Sequence, residues 1–290
     1  MDVNATTIDV MGLRTRVLVS GDTDRGDPVV MIHGVGGWAE NWREVMEPIA
    51  ATGRRAIAVD LPGFGESEAP KRVAHFGPRD AFYPRFVVAL LDAMRLRSAH
   101  LAGNSMGGAV AYMTAVSAPE RVRSLTLAAS GGLGTDIALF LRLATLPGMI
   151  ALAKRFGRPS HGRDVLRTCF YDPSRIPSQL YEEVDRYGLS SYPEFVRALR
   201  SGVDLRGVRP ELRRAWIDRA SSYAGPVLVV WGREDAVLPL HHVDDARRIF
   251  PQAELRIIER CGHLLMVERP AEFLAAFLPF IEGAERAVAA

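Results

Sequence analysis

Leu101-Ala102-Gly103-Asn104-Ser105-Met106-Gly107-Gly108 is the stretch whose reading decides the fold of this 290-residue chain. Just upstream, residues 98–101 read as the short buried end of a strand, and residues 109–115 read as a helix with a small-residue face. Between them stands Gly-x-Ser-x-Gly with a further glycine, in the strand–turn–helix setting that gives the motif its meaning. A serine on so sharp a turn is held in a strained backbone conformation, and glycine at 103 and 107 removes the Cβ atoms that would clash where strand and helix cross. The turn pushes the Ser105 hydroxyl out of the sheet. It also aims the Met106 N–H, in the first helical turn, at whatever Ser105 attacks. A glycine-rich turn can also be purely structural, so the rest of the chain has to decide.

Composition narrows the possibilities. Hydrophobic content of 48% with 24% charged residues is ordinary for a soluble globular protein, and the length allows one large domain or a domain with an insertion. The 36 basic and 34 acidic residues leave a formal charge of +2, so nothing points to nucleic acid or an anionic membrane. Only Lys71 and Lys154 are lysines. Cys169 and Cys261 are far apart without metal-ligand spacing, and read as two buried free thiols in a reducing compartment. The first residues lack a basic region followed by an apolar run, and no window approaches 18 uninterrupted apolar residues. The expectation is a cytoplasmic protein, monomer or homodimer, with no membrane insertion.

Outward from the octapeptide, strands and helices alternate. Residues 6–10 and 13–19, with Gly12 between them, predict an antiparallel hairpin, followed by a polar loop over 21–27. The apolar run 28–32 is a strand covered on both faces. It ends in His33-Gly34-Val35-Gly36-Gly37-Trp38, which lacks phosphate-binding spacing and no Gly-Lys-Ser/Thr follows. Beside a nucleophilic serine this loop reads as the second half of an oxyanion hole, the Val35 N–H joining that of Met106, with Gly36 the alternative donor. Losing one such donor typically costs about 10²–10³ in rate. His33 reads as structural. A helix over 41–52 and a strand over 55–59 follow, then the Gly/Pro-punctuated turn Asp60-Leu61-Pro62-Gly63-Phe64-Gly65-Glu66-Ser67, braced by Asp60. The polar loop 68–78 leads to a helix over 79–95, with Phe82, Phe86, Leu90 and Met94 on one core-facing stripe. Residues 123–129 supply the next strand.

There the alternation breaks. From 131 to about 220 the sequence predicts helices over 136–146, 147–156, 178–187, 192–201 and 210–220, and no strand of comparable quality. This segment holds 15 basic and 10 acidic residues. A helical insert between two sheet strands reads as a cap over the carboxyl ends of the strands, where such sheets bind ligands. Its arginine excess could attract a carboxylate, although charges on helices are more often solvated faces. The sheet returns with a strand over 227–231, Gly232-Arg233-Glu234-Asp235 at its end, a helix over 241–250 and a last strand over 253–258. Cys261-Gly262-His263 and a terminal helix over 270–281 complete the chain. The domain division is therefore core 1–132, cap 133–221 and core 222–290.

Ser105, Asp235 and His263 thus fall on loops at the carboxyl ends of three parallel strands, in the nucleophile–acid–base order this elbow requires. At this point the chain resembles the α/β-hydrolase superfamily over essentially its whole length. The resemblance rests on His33-Gly34, the turn from Asp60 to Ser67, Gly103-Asn104-Ser105-Met106-Gly107-Gly108, Gly232-Arg233-Glu234-Asp235 and Gly262-His263. It implies an α/β fold: a mostly parallel eight-stranded sheet, helices on both faces and an inserted helical cap. It also implies acyl transfer, with Ser105 the nucleophile, His263 the general base and acid, and Asp235 orienting the ring. Substrate contacts are expected from Gly34, Gly36, Trp38, Asn104, Leu133 and Leu264. No metal or organic cofactor is implied and no ligand cluster for one is visible.

Serine rather than aspartate at position 105 argues against the related haloalkane dehalogenases and epoxide hydrolases. Two enzyme readings remain. The first is a carboxylic ester hydrolase acting on small or medium acyl groups. The second is a carbon–carbon hydrolase of dienol products of aromatic ring cleavage, which Asn104 and Gly131-Gly132-Leu133-Gly134 resemble. Against the second, Leu264 follows His263 where that family usually has Trp, and the loop after His33 lacks its usual Pro. The ester hydrolase is the preferred expectation. A small-molecule receptor that keeps the triad without turnover is a third reading, from a different class.

Overall fold

The computed structural model describes residues 2–21, 25–71 and 73–289, without the side chains of 159 and 287–289. Residues 22–24 and 72, which fall in the two expected polar loops, and Met1 lie outside the described residues.

The chain opens with β1 (Asn4–Val10) and β2 (Leu13–Ser20), then β3 (Val29–Ile32), α1 (Arg43–Ala51) and β4 (Ala56–Val59). Next come α2 (Phe82–Ala93), β5 (Ala99–Asn104), α3 (Met106–Ser117) and β6 (Val122–Ala128). The helical segment runs through α4 (Leu139–Ala144), α5 (Met149–Phe156), α6 (Pro159–Thr168) and α7 (Ser178–Gly202). A small ribbon of β7 (Val203–Asp204) and β8 (Gly207–Val208) and then α8 (Pro210–Ile217) complete it. The chain rejoins the sheet through β9 (Val227–Gly232), α9 (His242–Ile249) and β10 (Glu254–Ile258), and ends in α10 (Leu265–Glu268) and α11 (Pro270–Ala289).

Eight strands form one sheet in the order β1-β2-β4-β3-β5-β6-β9-β10. The β1/β2 and β2/β4 pairs are antiparallel and the rest are parallel. The expected α/β sheet is therefore present. Strands β3, β4, β5 and β9 are buried at every residue, because helices cover both faces of a parallel sheet. Helices α1 and α11 pack together on one face, and α2 and α3 on the other. Helix α3 is buried from Met106 to Val116, which its small residues permit: a helix apolar all round has no solvent face. On α2, Phe82, Phe86 and Leu90 are buried, while Met94, just past its end, is half-buried against the core.

Differences from the sequence reading concentrate in the helical segment. Where two helices are expected over 178–187 and 192–201, α7 runs unbroken through Gly188 and Pro193. Those residues are poor helix formers. Contacts of α7 with α4, α5 and α6 outweigh that local preference. Helix α6 has no counterpart in the sequence reading. Cys261 is buried as expected, but Cys169 is only half-buried.

Candidate active site

Strand β5 delivers the serine. Its register with β3 and β6 sets Gly103 between Ile32 and Leu127, and Asn104 beside Ala128. The chain then turns in a single residue: Ser105 has φ 54° and ψ −120°, and α3 begins at Met106. A non-glycine residue with positive φ costs about 1–3 kcal/mol, so the surroundings must hold it. They do so with main-chain bonds. The Ser105 N–H donates to Ala128 O and Ala129 O, both at 3.1 Å, and its carbonyl accepts from Gly131 N at 2.8 Å. No side chain fits at the crossing. A Cβ on Gly103 would lie 2.1 Å from Gly107 O, and one on Gly107 would lie 2.2 Å from Ile32 O.

Asp235 arrives at the end of β9 and His263 on the loop after β10. Asp235 is fully buried at its side chain. Its Oδ1 accepts from the N–H groups of Val237 (2.8 Å) and Leu238 (2.9 Å), leaving Oδ2 for His263 Nδ1 at 2.8 Å. A carboxylate only accepts, so Nδ1 carries the ring proton and Nε2 presents a lone pair. That Nε2 is buried and has no hydrogen-bond partner among the described residues, Ser105 Oγ included. Ser105 and His263 nevertheless line one cavity.

Three further contacts, which sequence reasoning missed, hold the histidine loop. Asn104 Nδ2 donates to His263 O at 3.0 Å and to Ala128 O at 3.1 Å, tying the base's main chain to the serine elbow. Cys169 O accepts from His263 N (2.7 Å) and Leu264 N (3.3 Å), so the helical segment touches the base directly. Glu268, 1% exposed, accepts from Gly262 N and Asp172 N, each at 2.7 Å, and from Tyr171 N at 3.1 Å. One buried carboxylate thus knots residues 171–172 to the residue before His263. The only sequence signal was an acidic residue placed directly after the apolar run Leu264 to Val267.

His33 and Asp60 do what the sequence reading assigned them. Burial holds the His33 ring down at about 4, so it is neutral; Nδ1 lies 2.7 Å from Gly34 O and Nε2 accepts from Leu61 N at 2.9 Å. Asp60 accepts from Ala39 N (2.8 Å), Glu66 N (3.0 Å) and Arg16 Nη1 (3.2 Å), bracing the turn. The glycine loop lies against the serine: a side chain on Gly34 would begin 2.9 Å from Ser105 Cβ. Among the described residues, neither the Val35 nor the Met106 N–H has a hydrogen-bond acceptor.

Above these groups is a cavity of about 640 Å³. Its floor is Gly34 to Trp38, Asn41, Asn104, Ser105, His263 and Leu264; its roof comes from α4 to α7, including Phe140, Met149, Phe156, Leu166, Leu180, Val184 and Phe195. Trp38 donates its indole N–H to Glu183 of α7. Of the residues expected to contact substrate, Gly34, Gly36, Trp38, Asn104 and Leu264 line the cavity. Leu133 does not. It is fully buried in the core, and its carbonyl is taken by Arg213 Nε at 2.5 Å. Away from the cavity, Asp136, His241 and His242 converge in one group and Asp27, His100 and Glu285 in another.

A family model described as alpha/beta hydrolase fold matches residues 27–270. The chain is 31% identical over 284 residues to a 2-hydroxy-6-oxo-6-phenylhexa-2,4-dienoate hydrolase of Burkholderia cepacia, covering 95% of this chain and 94% of the relative. It is 35% identical over 258 residues to the dihydrolipoyllysine-residue acetyltransferase component of the acetoin cleaving system of Pseudomonas putida. That match covers 88% of this chain, which spans only 64% of the length of that relative. Among solved structures, a serine hydrolase involved in carbazole degradation superposes with a TM-score of 0.78 at 25% identity, covering 97% of this chain and 99% of the other. Among the described residues, no helix is long and apolar enough to cross a membrane.

Proposed function

Because this chain belongs to the alpha/beta hydrolase family, we propose that it is a serine hydrolase that cleaves a carbon–carbon bond beside the ketone of a dienol substrate. The nucleophile is Ser105, the base His263 and the orienting acid Asp235. His263 Nε2 takes the Ser105 proton as Oγ adds to the carbonyl, and the Val35 and Met106 N–H groups hold the oxyanion. Before this attack the dienol ketonises, gaining a proton at the carbon beside the scissile ketone and losing its enol O–H proton. Collapse then breaks the bond to that carbon, which departs as a conjugated dienolate and takes the proton from His263. Water, deprotonated by His263, then splits the acyl-Ser105 ester to a carboxylic acid.

The preference for carbon–carbon over ester cleavage, the reverse of the expectation from the sequence, rests on one observation. The dienoate hydrolase matches along nearly the whole of both chains. A leaving carbon must be stabilised as it departs, and the keto tautomer of a dienol substrate provides that stabilisation itself, because the leaving group is a conjugated dienolate. Ester hydrolysis is the second reading, favoured by Leu264 at the position after the base and by a largely apolar roof. Comparing kcat/KM on a yellow 2-hydroxy-6-oxodienoate with a p-nitrophenyl acyl ester series separates them. The dienoate should be preferred at least tenfold, and a preference for any ester would replace the first reading by the second. Ser105→Ala should abolish both activities with an unchanged circular dichroism spectrum, and surviving turnover would place the nucleophile elsewhere.

A further inference from the structure

Asp136 stands just after β6, at the beginning of the helical segment, and the tandem His241-His242 leads into α9. They are separated by more than a hundred residues of sequence and meet in the fold. His241 Nε2 lies 3.0 Å and His242 Nε2 2.9 Å from the same oxygen, Asp136 Oδ1. The three donor atoms all fall within 4.8 Å of one another. None of the three residues lines the catalytic cavity.

The two rings differ in how they are held. His242 is 1% exposed, sits edge-on to Trp231 at 6.1 Å between ring centroids, and fills the space beside Gly134. A Cβ on Gly134 would lie 2.2 Å from His242 Cδ2, so packing fixes that ring with Nε2 pointing outward to Asp136. His242 Nδ1 is buried without a partner. Asp136 and His241 are both more than half exposed, which leaves one side of the cluster open to water.

We propose that Asp136, His241 and His242 bind a single divalent transition-metal ion, with zinc as the reference case. Two imidazoles and a carboxylate are the donor set that zinc and related borderline cations take, with water in the fourth position. Metal–ligand bonds of about 2.0–2.2 Å in a tetrahedral site place ligand atoms roughly 3.3–3.6 Å apart. The two His–Asp pairs, now at 3.0 and 2.9 Å, therefore need to open only slightly, with the two ring nitrogens already within 4.8 Å of each other. The ion acts as a clamp, apart from the reacting atoms. Ala138 N already donates to Val237 O at 2.9 Å, and Val237 and Leu238 hold Asp235 Oδ1. Binding would lock the first residues of the helical segment to the loop that carries the catalytic acid.

The test uses the full-length, untagged, metal-stripped chain. Zinc titration by calorimetry should give one ion per chain at micromolar concentration and raise the melting temperature. Cobalt(II) should give the visible absorption bands of a tetrahedral site. His241→Ala and Asp136→Asn, both at exposed positions, should keep the fold and weaken zinc at least about tenfold. Absence of stoichiometric binding to the parent chain, or binding unchanged in both variants, would overturn the site.

Discussion

Replacing Glu268 by glutamine should damage both stability and turnover, although the residue touches no cavity surface. Its two oxygens accept three main-chain N–H groups: Gly262 and Tyr171 on Oε2, Asp172 on Oε1. Hydrogen bonds to a charged group contribute about 1.5–3 kcal/mol each, and an orphaned buried donor costs about 1–3 kcal/mol. Glutamine can keep its oxygen toward Gly262 and Tyr171 but must then turn its NH₂ group onto Asp172 N–H. One donor is orphaned, at about 1–3 kcal/mol, and two bonds lose their charge, at about 1–1.5 kcal/mol each, a loss of about 3–6 kcal/mol in all. Urea unfolding reads this as a lower midpoint at constant slope. The same change frees the main chain just before His263, and misplacing a catalytic group by an ångström can cost about 10²-fold. We expect kcat to fall by about 10–100-fold with KM little changed. A variant within about 0.5 kcal/mol of the parent, the range of ordinary surface changes, and with parental kcat would show that the knot does not hold the base.

Two further outcomes test the site. Asp235→Asn removes the acceptor for His263 Nδ1 and favours the wrong tautomer, so kcat should drop by about 10⁴, as in serine proteases, and a loss below tenfold would point to another carboxylate. Glu183, which accepts the Trp38 N–H, is pushed up to about 7 by burial. Because the folded value is raised, its stabilising effect is present below the ordinary value of 4.5 and is lost as pH rises through about 7. The melting temperature of the parent should therefore fall relative to Glu183→Gln between about pH 5 and pH 8. A constant difference between the two across that range would refute the assignment.

Local sequence determined the frame. Runs such as Val29–Ile32 and Val227–Gly232 declare strands covered on both faces, because each residue must be apolar when helices lie above and below. Gly103, Ser105 and Gly107 declare the elbow, because only glycine tolerates the backbone contacts at that crossing. Ser105, Asp235 and His263 were legible because each follows a strand at its carboxyl end, in an order that only one such fold uses.

Only the tertiary structure decided how these parts are held. Helix α7 continues through Gly188 and Pro193 because its neighbours carry it, which no local propensity reports. Leu133 sits beside motif residues in sequence yet points into the core. Asn104, Cys169 and Glu268 fix the His263 loop through main-chain bonds across 159, 94 and six positions of sequence. Asp136 meets His241 and His242 in the same way. Pattern and propensity reach a few residues along the chain. A hydrogen bond or a ligand set depends on distance in space, and that exists only once the sheet has brought its loops together.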